Sequence, residues 1–488
     1  MKLVIGCLIT IHLAFSVSCV DKEKVQQTKL QKIENHIDDL NMIDKQNSLH
    51  NFIAIDKNGD IIKKVKAEWS GNSTSTNHLG VLSLDTEATS ITLSAKGFIT
   101  TTFNGVTELS KIFELAPSQE QSRLLEVQGN TSGFGKLKRD KRFDFSIVLP
   151  AFTRSSLVNF DVSNVLSAES DQIKVPTKTV SMPTNITLPK QSEKYIFFTI
   201  KFNKPQYKLF VPKADNYTLF ASHGSFPMKD IMDAVKKGQS MYSMLNKFSF
   251  KQGGLRKSFI PDDISGQDLV VNQIQYNSSL TFRVPQIQSD QVIIGASFMN
   301  KEGQLLPTDL KSFKSEDEHQ LKINSENINN SYILSILKED DLKATSPQFK
   351  QVSMSIQAHE NINTLPIFLG LVNKPQIENK NITVGEPITP KGLNSHSVTI
   401  YLSEIEKITY DDVESEKRTV IHKVINPGWA NSFDISQVSY EKKANRTYRW
   451  EVIFMAAPET LNINLDYYNY KINQLESVTH TSANSVDL

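Results

Sequence analysis

Two cysteines and ten histidines are the side chains best able to do chemistry in this 488-residue chain. Zinc wants three fixed nitrogen or oxygen ligands and an open position, so its sites show spacings such as His-x-x-Glu or His-Glu-x-x-His. No histidine opens either pattern. His359-Glu360 comes nearest, but Asn361-Ile362-Asn363 follows and the second histidine is missing. The run Asp56-Lys57-Asn58-Gly59-Asp60 starts like a calcium loop. An EF-hand needs a glutamate at its twelfth position, and Glu68 falls one place off, after a strand-like stretch. Asn-Gly between alternating apolar runs is instead a strong hairpin signal. The acidic runs 316–318, 339–341 and 411–412 read as solvated turns. No Gly-x-Ser-x-Gly elbow occurs, since Gly224-Ser225-Phe226 does not fit it, and no Walker A or Gly-x-Gly-x-x-Gly loop appears. Carboxylate pairs for glycoside hydrolysis are defined by distance in space and cannot be read from the chain. The sequence calls for no cofactor, metal site or catalytic residue.

The cysteines carry more information. Lys2 gives a positive start, Leu3 to Val17 are almost all apolar, and Ser18-Cys19 precede the charged run Asp21-Lys22-Glu23-Lys24. A positive start, a short apolar core and a small residue at its end form a secretory leader. The core is shorter than the ~20 residues of a bilayer span. Ser18-Cys19 closing such a segment resembles the lipobox of bacterial lipoproteins, with Ser16 where that family carries an aliphatic residue. The resemblance implies cleavage before Cys19 and lipid attachment at Cys19. Cys7 would leave with the leader. Lipidation would then remove the one remaining free thiol, a hazard in an oxidising compartment. Plain secretion is the alternative.

Lys and Arg number 54 and Asp and Glu 53. That balance argues against a nucleic-acid partner, which normally meets a basic excess. Without disulfides each domain must bury its own core. The eight Asn-x-Ser/Thr sites, Asn72 among them, would be glycan acceptors in a eukaryotic secreted protein. Behind a lipobox they read as chance in an Asn-rich chain.

Residues 19–48 read as a lipid-anchored, partly helical tether, with Leu30, Ile33, Ile37 and Leu40 in a short seam. From Leu49 short strands take over. Alternating runs flank the 56–60 turn, and the strands Val81–Leu84 and 90–95 follow, each punctuated by turn residues. Gly80, Leu84, Leu93, Ala95, Gly97 and Phe98 are placed as in the carboxypeptidase regulatory-like module, which 50–105 resembles; His78-Leu79 replaces its usual Thr-Asp. The resemblance implies a transthyretin-like β-sandwich of seven strands. It brings no peptidase with it, because the zinc motif is absent.

Residues 105–125 read as a linker. A β domain over 126–265 carries three prolines between 176 and 189, with Pro205 close behind, which bar that piece from a central strand. It also carries a helical hairpin at 227–248, with Met228, Ile231, Met232 and Val235 at helical spacing. Two further β-sandwiches are expected at 266–345 and 350–470. The second includes strands at 364–372 and at 447–457, where Tyr448, Trp450, Val452 and Phe454 share a face. Residues 471–488 read as a flexible tail.

The expected fold is therefore mainly β: tandem β-sandwich domains, a short helical insertion and an N-terminal helical tether behind a signal peptide at 1–18. The expected function is non-enzymatic. A bacterial envelope lipoprotein, held to a membrane through Cys19, would present its sandwiches for adhesion, scaffolding or binding of a protein or glycan. Loops 70–78 and 223–226 and the segment Tyr467-Tyr468-Asn469-Tyr470 are candidate contact surfaces. The alternatives are a secreted or lipid-anchored polysaccharide hydrolase and a partner subunit of an outer-membrane transport machine.

Overall fold

The computed structural model describes residues 31–44, 49–56, 59–84, 88–107, 110–118, 124–133, 142–150, 170–175, 178–183, 186–187, 194–200, 206–212, 216–227, 229–230, 233, 237, 245–259, 266–301, 304–314, 318–339, 351–359, 365–410, 413–460 and 477–488. The protein is mainly β, as its alternating runs and turn clusters imply. It divides into two compact units, one reaching to Pro117 and the other built on Ser118–Ile463 and the C-terminal residues from Leu475.

The first unit is a β-sandwich. One sheet has the order Val81–Leu84, His50–Ile55, Ile112–Glu114; the strands Thr100–Asn104, Ser90–Ser94, Lys66–Trp69 and Asn72–Ser75 pair in that order in the other. Phe113 of the first sheet meets Phe103 of the second with ring centroids 4.8 Å apart, and Phe52 lies 5.1 Å from Phe113. Such edge-on and tilted aromatic contacts add to the area they bury. Asp56 is tied to the residues three and four places on: Gly59 N–H donates to the Asp56 carbonyl, and Asp60 N–H to Asp56 Oδ1. The expected second arm is brief, however. Ile61 bridges Ile55, and then the chain crosses to the other sheet at Lys66.

Gly80 lies at φ +90°, and a Cβ there would stand 2.4 Å from Ile61 Cγ2. Only glycine meets both conditions without strain. Gly80→Ala is expected to destabilise the first unit by roughly 2–3 kcal/mol. A urea titration followed by Trp69 fluorescence reads this, and an unchanged midpoint would contradict it.

Two expectations for this region need correction. Residues 31–44 form a helix that is not a free spacer: Leu40, with Ile33, Ile37 and Ile43 beside it, packs on Ile53, Ile55, Val81 and Ile112. Buried Lys111 also pairs with Asp44. The 105–125 stretch is not all linker, because Ile112–Glu114 pairs in parallel with His50–Ile55 and closes the sandwich.

The second unit contains a long antiparallel run of strands. In order these are Gln304–Phe313, Gln291–Lys301, Ser331–Glu339, Gln351–Ala358, His480–Asp487, Thr447–Pro458, Leu393–Tyr410 and Val413–Pro427. This ladder crosses the boundary expected between 345 and 350, so 266–345 and 350–470 are not separate sandwiches. The C-terminal residues are not a flexible tail either. His480–Asp487 is a paired strand between Gln351–Ala358 and Thr447–Pro458. Residues 364–372 were expected as a strand; 365–372 are irregular chain, with Leu369 buried against Leu393 and Ala456.

Tyr448, Trp450, Val452 and Phe454 share the core with Val398, Ile400, Leu402 and Phe433, as their alternation requires. The opposite face of that strand is buried as well. There Glu451 meets Arg418 at 2.7 Å, and Arg418 donates to Ser403 Oγ. A second sheet runs Ile186–Thr187, Lys194–Ile200, Phe143–Pro150, Asn216–Phe226, Ser249–Phe259, Ile274–Gln275. Val148, Leu219 and Ala221 from it share a core with Val127 and Tyr207, which lie on the paired strands Leu124–Ser132 and Gln206–Pro212. The proline-spaced piece supplies Lys178–Pro183, which pairs antiparallel with Ser170–Val175, and the edge strand Ile186–Thr187. Of the expected helical hairpin, Lys229, Asp230, Asp233 and Leu245 are helical; Met228, Ile231, Met232 and Val235 lie outside the described residues.

Candidate functional site

Two clefts open on the second unit. The first, of about 420 Å³, is lined by Asp290, Gln291, Glu339, Gln351, Phe368 and Gly370, among others. Its floor is the end of the antiparallel ladder, where Gln291 and Glu339 are register partners. Its wall is the irregular 365–371 segment, pinned by Gly370 N–H donating to the Ile388 carbonyl. Leu365, Ile367 and Ile388 on this segment and its partner are exposed. Asp290 and Glu339 are exposed too, so water solvates both carboxylates.

The second cleft, of about 380 Å³, gathers charge. Arg142 precedes the strand Phe143–Pro150, and Asn246, Lys247 and Phe248 lead into Ser249–Phe259. Asp309 and Lys311 lie on Gln304–Phe313, and Lys322 on Glu318–Ile323. The local cause is a bulge. Ser297 faces Asp309 while Phe298 faces Pro307, so Thr308 is the extra residue. Pro307 cannot donate to a ladder, and a bulge re-aims the side chains beyond it. Thr308 Oγ1 donates to the Lys322 carbonyl at 2.8 Å and lies 2.9 Å from Ser297 Oγ, which ties the bulge to the neighbouring strand.

Asp309 is buried, its side chain 1 % exposed. Its oxygens accept from the backbone N–H of Leu310 at 3.0 Å and of Lys322 at 2.9 Å. Burial nevertheless holds its carboxyl above the usual range, against those bonds and the Lys311 and Lys322 cations. Lys322 moves the other way. Desolvation draws its ammonium below the ordinary lysine value; Asp309 opposes this, while Lys311, Lys251 and Arg142 add to it by repulsion.

Near this cleft His223 is buried, with Nε2 3.4 Å from Asp144 and Nδ1 3.0 Å from Gln252. Both ring nitrogens face polar partners within the sheet, which leaves this imidazole in a packing role. Residues 223–226, expected as a contact loop, are the buried end of the strand Asn216–Phe226; His223, Ser225 and Phe226 are all buried. In 70–78, Asn72–Ser75 forms a largely exposed edge strand paired with Lys66–Trp69. Cys19 and Tyr467-Tyr468-Asn469-Tyr470 lie outside the described residues. Asp60, from the calcium-like run, pairs with Lys32 at 2.6 Å. Among the described residues no group of three or more His, Cys, Asp or Glu side chains could hold a metal ion. No helix among them is long and apolar enough to cross a membrane.

Neither cleft was legible in the sequence. Arg142, Lys247, Lys311 and Lys322 are spread over 180 positions of chain and meet only through strand pairing. The one local signal was Pro307 inside an otherwise strand-like run, which marks a bulge or an edge. Compared with known proteins, the chain matches no family and no curated protein.

Proposed function

We propose that the protein is exported, lipidated at Cys19 and held at a membrane of the bacterial cell envelope, where its β domains bind a protein or glycan ligand without catalysing a reaction. The observation that carries the binding role is the pair of clefts on the second unit and the state of their carboxylates. Asp290 and Glu339 in one, and Asp230 in the other, are exposed. Asp309 is buried and spends its oxygens on backbone N–H groups. Glycoside hydrolysis needs a protonated carboxyl as general acid beside an ionised one, both free to reach a substrate. The polysaccharide hydrolase, the alternative reading, draws on Asp290 and Glu339, which line one cleft. Two facing sheets support the resemblance of 50–105 to the carboxypeptidase regulatory-like module, with six strands inside that range and a seventh, Ile112–Glu114, just beyond it.

The anchor is tested by fractionation in a bacterial host. The native chain is expected in the membrane fraction, and Cys19→Ala is expected to shift it to the soluble fraction. Lipid chains supply the affinity, at roughly 0.8 kcal/mol per buried methylene. Equal membrane retention of both chains would reject the anchor.

A further inference from the structure

We propose that the cleft bordered by Lys311 and Lys322 binds an oxyanion, a carboxylate or a phosphate carried by a ligand of up to sugar size. The inference rests on the reading of this protein as a binding protein and names the chemistry of its ligand.

Four cations line the cleft: Arg142, Lys247, Lys311 and Lys322. Among the described residues two carboxylates line it, and they do not balance that charge. Asp309 is turned into the protein, its oxygens taken by backbone N–H groups. Asp230 is exposed to water, where its field is screened. Arg142, Lys311 and Lys322 are each oriented by neutral acceptors. Arg142 donates from Nη2 to the Ser225 carbonyl at 2.8 Å and the Lys247 carbonyl at 3.0 Å, and from Nε to Ser225 Oγ at 3.1 Å. Lys322 Nζ donates to the Phe250 carbonyl at 3.0 Å and to Ser249 Oγ at 3.2 Å. Lys311 Nζ donates to the Gln320 carbonyl at 3.1 Å and lies farther, 3.8 Å, from Asp309. A carbonyl orients an ammonium or guanidinium without cancelling its charge. The result is a set of like charges held in place before any ligand arrives, the condition under which an anion binds at least cost.

Lys322 reports the strain of that arrangement. Burial lowers its affinity for a proton, and Lys311, Lys251 and Arg142 lower it further. An oxyanion seated among these groups relieves the repulsion and gains charge-assisted hydrogen bonds. The volume of about 380 Å³ suits a monosaccharide or similar body. The half-buried Phe248 ring, 5.5 Å from Phe226 by centroids, adds an apolar wall.

Isothermal titration calorimetry on the full chain at low salt tests this with three probes: inorganic phosphate, glucuronate and glucose. Phosphate or glucuronate is expected to bind, and glucose at least tenfold more weakly. Phosphate alone marks a phosphate site, and glucuronate alone marks an acidic-sugar site. Lys311→Gln and Lys322→Met are each expected to weaken the anion by about tenfold, and added salt to weaken it further. Lys311 is partly exposed, so its variant stays informative if Lys322→Met fails to fold. Three results overturn the proposal: no binding of either anion, glucose binding as tightly as glucuronate, or unchanged affinity in Lys311→Gln. The anchor reading is tested separately by the fractionation of Cys19→Ala, so either can fail alone.

Discussion

Stopping the chain before His480 is expected to unfold much of the second unit, although the deleted residues look like a polar tail. The strand His480–Asp487 is hydrogen-bonded on both sides, to Gln351–Ala358 and to Thr447–Pro458. Ser482 Oγ donates to the Gly370 carbonyl and Asn484 Nδ2 to the Val372 carbonyl, both at 2.8 Å. Arg449, itself buried, meets Asp487 at 2.5 Å. Each backbone bond nets roughly 0.5–1.5 kcal/mol. Losing both ladders costs on the order of 5 kcal/mol or more, against a total of ~5–15 kcal/mol for a typical domain. Hydrogen exchange is the direct readout. Amide protection across Gln351–Ala358 and Thr447–Pro458 is expected to vanish in the truncated chain. Full protection there would show that the terminal strand is dispensable.

Mild acid is expected to destabilise the same unit through two buried histidines. His422 and His480 are both buried, and burial lowers each imidazole from its ordinary 6.5 to about 4. His480 lies among hydroxyls, 3.2 Å from Ser355 Oγ and 2.7 Å from Thr479 Oγ1, while a backbone bond at Ile367 partly opposes the shift. The folded state keeps both rings neutral, whereas the unfolded chain takes up protons near 6.5. The stabilisation is therefore complete above that value and is lost as pH falls from 6.5 toward 4. At about pH 5 the loss is about 2 kcal/mol per histidine, or about 4 kcal/mol for the pair. Asp309 works in the opposite sense: its raised carboxyl is relieved by acid, which offsets part of the loss. Urea titrations at pH 7.5 and 5 are expected to show a lower midpoint for the second unit in acid. Equal midpoints would mean that neither ring is held neutral.

The same residues explain what the sequence revealed and what it hid. Tyr448, Trp450, Val452 and Phe454 announce a core strand because large apolar groups alternate with others. His480–Asp487 hides because its buried residues are mostly Ser, Thr, Asn and Ala, small groups whose polar atoms find partners between neighbouring strands. Residues 365–372 mislead in the other direction. Their apolar side chains fill the edge of a core, as Leu369 does, but the backbone takes no ladder position. Gly80 and Gly97 were legible as positions of the module's pattern, and their φ values of +90° and +91° give the physical reason for glycine there. Helix 31–44 showed its seam, yet Ile33, Ile37 and Leu40 are anchored to the sheet rather than to another helix. The clefts were invisible because their charges converge only through pairing of distant strands.

The claim on which the functional account depends concerns the start of the chain, and one measurement addresses it. Intact-mass and N-terminal peptide analysis of the protein from its native cells is predicted to find a mature chain beginning at Cys19 and carrying acyl chains. A chain that begins unmodified at Met1 would contradict export, anchoring and the envelope setting together.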